Sequence, residues 1–196
     1  VGKTDGAALR AAAEAGTLRV RLSSVADGSL RWLIGEDTSL GAIRDMWTPR
    51  CFGDPGAVDD SRYWCNSQVD NGGVHVNSGV PNRAFALLVD GGSLGGVTVE
   101  ALGLTRAAHV YWRAMSTYQV PISDFADHAD ALAQSCLDLV GQPLSDLATG
   151  EPGAEVLTAA DCEQVEAAIA AVGLRDPVPC QFATLLAPGG PALNRD

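Results

Sequence analysis

The stretch Asp70-Asn71-Gly72-Gly73-Val74-His75 places a carboxylate five residues before an imidazole, with two glycines between them. Consecutive glycines permit a tight backbone path, so Asp70 can fold back across the turn and hold one imidazole nitrogen. A carboxylate that orients a histidine leaves the other nitrogen as a directed donor. A helical pattern starts at about Val74, which puts His75 in the first turn, where the helix N-terminus disfavours an added positive charge. A lone histidine near a helix start also has a purely structural interpretation, and the spacing alone does not choose between the two.

His75, His109 and His128 are the only histidines, and no two are four apart, so the H-E-x-x-H pattern of zinc peptidases is absent. The cysteines are Cys51, Cys65, Cys136, Cys162 and Cys180, none in a C-x-x-C pair, which argues against a structural zinc site. Cys51 and Cys65 bracket a polar loop and are expected to close it as a disulfide. Cys136 ends one helical signal and Cys162 opens the next, so antiparallel neighbours would bring them together. Cys180 is then left over, or pairs with Cys136 instead. Two disulfides and one thiol suit an oxidising, extracellular setting; the alternative is buried thiols in a cytosolic protein.

The elements that must position these residues read as mainly α. With 46% hydrophobic and 19% charged residues in 196, the chain has the composition of a folded globular protein. A net charge of −11 repels phosphates, which argues against nucleic acid or anionic membrane as a partner. No apolar run is long enough to suggest a membrane span. The N-terminus carries no starting Met and no signal core, as expected of a mature form or a fragment. Residues 1–31 form a poorly interpretable segment, with a helical tendency from Gly6 to Gly16 and strand-like alternation at Leu18–Leu22. Residues 48–72 are rich in Pro, Gly, Asp and Ser and predict a long ordered loop before the first main helix.

Helical signals follow near 74–90, 103–118, 123–140 and 158–172. The first carries Val76, Val80, Ala84 and Leu87 or Leu88 and stops at Gly91-Gly92. In the second, Ala108, Tyr111, Trp112, Met115 and Tyr118 share a broad face expected to be core. The third starts with Ser123 as N-cap and repeats Phe125, Ala129, Leu132, Cys136 and Leu139. The fourth opens on Thr158-x-x-Asp161, an approximate capping box, and stops at Gly173. Short connections between such helices predict a bundle, followed by an irregular tail at 176–196.

The segment Asp70 to Gly79 closely resembles the D-x-G-G-V-H-x-N-S-G stretch of the thermolysin-like neutral metallopeptidases. Trp32-Leu33-Ile34-Gly35-Glu36-Asp37 is similar to that family's W-x-I-G-E-D, and Ile43-Arg44-Asp45-Met46 to its aliphatic-Arg-x-Met. Ala114 to Tyr118, Ser123-Asp124-Phe125 and Gln164 to Gly173 resemble its later elements. The resemblance covers roughly residues 27–175, and implies the C-terminal α-helical domain of a secreted zinc metalloendopeptidase over residues 32–175. It implies that His75 hydrogen-bonds the oxyanion of a tetrahedral intermediate and that Asp70 orients it. Arg44 would hold the substrate carbonyl just past the scissile bond, and Ile43 would line the apolar pocket there. Glu36 and Asp37 match acidic positions beside the family's calcium site, so calcium is a possible ligand, although Leu33 replaces an acidic residue. The zinc ligands of the family lie in a preceding half, so the chain is expected to need a zinc-binding N-terminal domain as partner, to act on peptide or protein, and to be inactive alone. The alternatives are a catalytically dead peptide-binding module and a purely structural extracellular domain.

Overall fold

The computed structural model describes residues 31–180 apart from 37, 40 and 67, together with residues 11 and 14–16. The strand expected at Leu18–Leu22 lies outside the described residues, as does most of the Gly6–Gly16 segment, of which a single turn closes by Ala15 N–H donating to the Ala11 carbonyl at 3.0 Å.

Helices and three two-stranded antiparallel ribbons make up the rest. β1 (Leu33–Ile34) pairs with β2 (Arg44–Asp45), aligning Ile34 with Arg44. A 3-10 turn, Pro49–Phe52, follows. Then come α1 (Asp70–Asn77) and α2 (Gly79–Asp90), the ribbon of β3 (Gly92–Leu94) and β4 (Val97–Val99), and α3 (Leu104–Arg113), extended by a π-turn at Ala114–Tyr118. Last are α4 (Phe125–Leu139), the ribbon of β5 (Pro143–Ser145) and β6 (Pro152–Val156), and α5 (Ala159–Val172). The first helical signal is thus split at Ser78. Pro81 lacks the N–H that would bond the Asn77 carbonyl, and the His75 carbonyl, two residues earlier, accepts from Ser78 Oγ at 2.6 Å.

The core lies where α2, α4 and α5 meet. Val80, Ala84, Leu88, Leu132, Cys136, Val165, Ile169 and Val172 are all buried there. α5 begins with a capping box in which Thr158 and Asp161 exchange hydrogen bonds, and it ends on left-handed Gly173. α4 also has a capping box, but Asp124 is the cap, not Ser123, whose Oγ accepts from Val120 N–H at 3.0 Å. Asp124 wins because its carboxylate reaches Asp127 N–H while Asp127 reaches back.

The expected buried face of α3 is rotated. Ala107, Val110 and Ala114 are buried, whereas Trp112 is 66% and Met115 56% exposed. Small residues let α3 approach its neighbours closely. At 3.6 residues per turn, Trp112 stands about 140° round the helix from Ala107.

The disulfides are Cys65–Cys180 and Cys136–Cys162, with Cα separations of 5.1 and 5.6 Å. The expected Cys51–Cys65 pair is therefore corrected: Cys51 is an exposed free thiol, and Cys180 is neither left over nor joined to Cys136. The loop from 51 to 65 is closed by a buried carboxylate instead. Asp60, 4% exposed, accepts from Arg50 Nε at 2.6 Å and from Gly56 and Arg62 N–H, both at 3.1 Å. Burial pushes the Asp60 carboxyl up, but the Arg50 bond and these N–H donors outweigh it and hold it below the usual carboxylate range.

Candidate functional site

Four consecutive residues, Asp70 (φ 56°), Asn71 (φ 46°), Gly72 (φ 84°) and Gly73 (φ 90°), form a left-handed turn at the start of α1. The glycines take this conformation freely; Asp70 and Asn71 are L-residues in a region that costs roughly 1–2 kcal/mol each. The turn brings the Asp70 carboxylate over the first right-handed residues of the helix. One oxygen accepts from His75 N–H at 3.0 Å and Val76 N–H at 3.3 Å, and the other bonds His75 Nδ1. The bond from the His75 ring, with help from the Val76 and His75 N–H groups, holds the Asp70 carboxyl below the usual range against partial desolvation. Asp70 therefore stays ionised and acceptor-only, and Nδ1 is the donor. The His75 side chain is 73% exposed, so Nε2 faces outward from a ring fixed at one edge.

Arg44 reaches the same turn. Its Nη2 donates to the His75 carbonyl at 3.1 Å, and its Nε is buried without a hydrogen-bond partner among the described residues. Nearby Asp54 has its carboxyl raised by burial, an effect partly offset by the Arg44 guanidinium. Ile43 is 51% exposed and sits beside Ile34, with its N–H bonded to the Ile34 carbonyl at 2.8 Å. The β1–β2 ribbon thus carries a cation and two exposed aliphatics, with the cation tied to His75. The ribbon is held in turn by Trp32 Nε1 and Arg31, each 2.7 Å from the Asp90 carboxylate at the end of α2.

Spacing singled out Asp70 and His75, and the family resemblance added Arg44 and Ile43, but neither pointed to what supports them. Asn77, 6% exposed, accepts from Trp64 N–H at 2.8 Å and donates to the Trp64 carbonyl at 2.9 Å. Asn77 belongs to the motif segment itself, but its partner lies 13 residues away, beyond any local pattern. Behind the turn lies a groove of about 690 Å³ lined by Tyr63, Val74, Pro81, Phe125, Pro177 and Val178, among others.

A family profile described as "Thermolysin metallopeptidase, alpha-helical domain" matches residues 12–149. The chain belongs to this thermolysin metallopeptidase family. Among similar proteins, a zinc metalloproteinase of Renibacterium salmoninarum is 35% identical over 150 residues, 74% of this chain and 25% of that protein. Bacillolysin of Brevibacillus brevis is 41% identical over 115 residues, 56% of this chain and 21% of the relative. Extracellular elastase of Staphylococcus epidermidis is 36% identical over 119 residues, 58% and 21% of the two chains. The matched part thus spans between a fifth and a quarter of these curated relatives.

Membership brings zinc into question. Among the described residues of this thermolysin-type domain, no group of three or more His, Cys, Asp or Glu side chains stands together as metal ligands would. His109 Nδ1 bonds the Thr105 carbonyl at 2.8 Å, and its Nε2 accepts from Ser145 N–H at 3.2 Å. His128 is pushed down to about 4 by burial and bonds Gln119 at 3.0 Å. These residues do not fit a zinc site. For calcium, Glu36 is exposed and Asp37 lies outside the described residues.

Proposed function

We propose that this chain forms the cleft wall of a secreted zinc-dependent metalloendopeptidase, within a unit spanning residues 32–175. His75 hydrogen-bonds the oxyanion of the tetrahedral intermediate through Nε2, and Asp70 orients it. The observation that carries this is the Asp70 carboxylate bonded to Nδ1 of an imidazole that is otherwise 73% exposed. With Nδ1 engaged as donor to Asp70, donation from Nε2 requires the ring to carry both protons. A donor aimed in advance stabilises charge as it develops without reorganising at the moment of reaction. Arg44 binds the substrate carbonyl just past the scissile bond, and Ile43 packs on the side chain there. The attacking water is activated by residues outside this chain, so the domain alone is inactive and needs a zinc-binding N-terminal half as partner.

Secretion is supported by two disulfides and by the extracellular elastase among its relatives. No helix among the described residues is long and apolar enough to cross a membrane.

The test is a fusion of the zinc-binding half of the Brevibacillus brevis relative to this chain, assayed on casein and a short peptide. His75→Ala should remove about 2.7–4 kcal/mol of transition-state stabilisation, the usual loss for one oxyanion donor. It should fall mostly on kcat, because the oxyanion exists only after attack. Asp70→Asn should cost less, since the imidazole remains but turns freely. Equal activity of the parent fusion and His75→Ala would show that the residue only begins its helix.

A further inference from the structure

We infer that Asn77 is a positioning residue for the Asp70–His75 pair, acting through the backbone of Trp64. The inference deepens the role proposed for His75 above and rests on it.

The left-handed turn is a costly conformation for Asp70 and Asn71, and such turns persist only where their surroundings over-determine them. Three contacts do this. The first is internal: the Asp70 carboxylate accepts from His75 and Val76 N–H. The second is the side chain of Trp64, which lies flush against Gly73. A Cβ placed on Gly73 would stand 2.7 Å from Trp64 Cδ1 and 2.9 Å from Trp64 Cβ, closer than real atoms come. The third is the buried amide of Asn77, which also crowds Gly73: the same Cβ would lie 2.9 Å from its Nδ2.

Asn77 spends its oxygen and its nitrogen on a single residue, accepting from Trp64 N–H and donating to Trp64 carbonyl. A two-point bond fixes both distance and orientation. It holds the Trp64 backbone against the end of α1 and thereby keeps the indole against Gly73. Asn77 is one helical turn beyond Gly73, so the side chain reaches back over the turn it braces. The neighbouring Cys65 is covalently joined to Cys180, which fixes the far side of the same segment. With the amide gone, Trp64 can lift from Gly73 and the left-handed turn can relax. Asp70 then no longer reaches Nδ1, and Nε2 loses its aim. Asn77 borders the groove behind the turn but is only 6% exposed, and its amide oxygen and nitrogen are both engaged by Trp64.

The test has two arms. In the isotope-labelled chain, the His75 Nδ1 proton should give a downfield resonance from its bond to Asp70. Asn77→Ala should broaden or shift that resonance. So should Asn77→Asp, which is nearly isosteric but sets a carboxylate oxygen against the Trp64 carbonyl. Leu157→Val, a destabilising change at a buried residue elsewhere, should leave it in place. In the fusion described above, Asn77→Asp should lower kcat on the order of 10- to 100-fold with KM unchanged. That loss should largely disappear in an Asp70→Asn background, because the pair is already uncoupled there. If Asn77→Ala does not fold, Asn77→Asp carries both arms. The inference is overturned if the proton resonance is unmoved by Asn77→Asp, if Leu157→Val disturbs it equally, or if the kinetic losses of Asn77→Asp and Asp70→Asn simply add. If His75→Ala leaves the fusion fully active, the proposed function fails on its own, and the imidazole resonance still decides whether Asn77 holds the pair in register.

Discussion

The His75 turn and the α2–α4–α5 core are built on opposite principles. The core is apolar, right-handed and shut: Leu88, Leu132, Val165 and Val172 are each at most 1% exposed. The turn is polar, left-handed and open, and its shape depends on hydrogen bonds made with the Asp70 carboxylate and the Asn77 amide rather than on buried area. Packing stabilises without specifying the direction of any one atom. Hydrogen bonds stabilise little but fix direction. A domain that must aim an imidazole therefore needs both, in separate places.

Core truncation should separate the two regions most widely. Leu132→Ala should cost about 2–5 kcal/mol, read as a lower urea midpoint, while the Asp70–His75 resonance of the folded fraction stays unchanged. A midpoint shift of a few tenths of a kcal/mol would mean that the core is less tightly packed than described.

Acid should then split the regions by pH. His128 has its folded-state value pushed down to about 4, whereas the unfolded imidazole titrates near 6.5. The unfolded chain thus binds a proton that the folded chain refuses, and stability falls as pH drops from about 6.5 to 4. The loss is of order 3 kcal/mol by linkage. Asp70 is the opposite case, a carboxyl held below its ordinary 3.8, so its contribution is intact above that value and fades only below it. Urea titrations between pH 7 and 4 should show the His128 loss, and His128→Phe should flatten the profile. An unchanged slope in that variant would assign the acid sensitivity elsewhere.

The smallest expected effects come from backbone termini. Thr158→Ala removes the cap of α5 and should cost about 1 kcal/mol. Asn71→Ala, which forces alanine into the left-handed turn, should cost a similar amount, but it alone of the two should also disturb the His75 resonance. Thermal melts of both variants, paired with that spectrum, would sharpen the contrast between structure held for stability and structure held for aim.

Legibility followed the same division. Helices with caps and a repeating apolar stripe announced themselves, α5 most clearly, because Thr158, Asp161 and Gly173 act within a few residues of one another. The ribbons did not, because their strands are at most five residues long and three of the six begin with Gly92, Pro143 or Pro152, which read as turn residues. On α3 the aromatic residues suggested a buried face, but alanines at 107 and 114 were what let the neighbours approach. The Asp70–His75 pair was legible because it is local. Its braces were not: the Trp64–Asn77 bridge, the Arg44 bond to His75 and the Cys65–Cys180 link join positions 13, 31 and 115 residues apart. No local spacing encodes such distances.

The 115-residue span of that last link bears on survival among proteases. The segment from Asp146 to Glu151 is exposed, with Leu147 half-exposed at its tip, and offers a natural place for a cut. Both covalent loops, Cys65–Cys180 and Cys136–Cys162, enclose it. A chain nicked there keeps its two pieces tethered at two points. It would migrate as one species without reductant and fall into two with it, and the piece bearing His75 would stay fastened to the piece bearing Cys180.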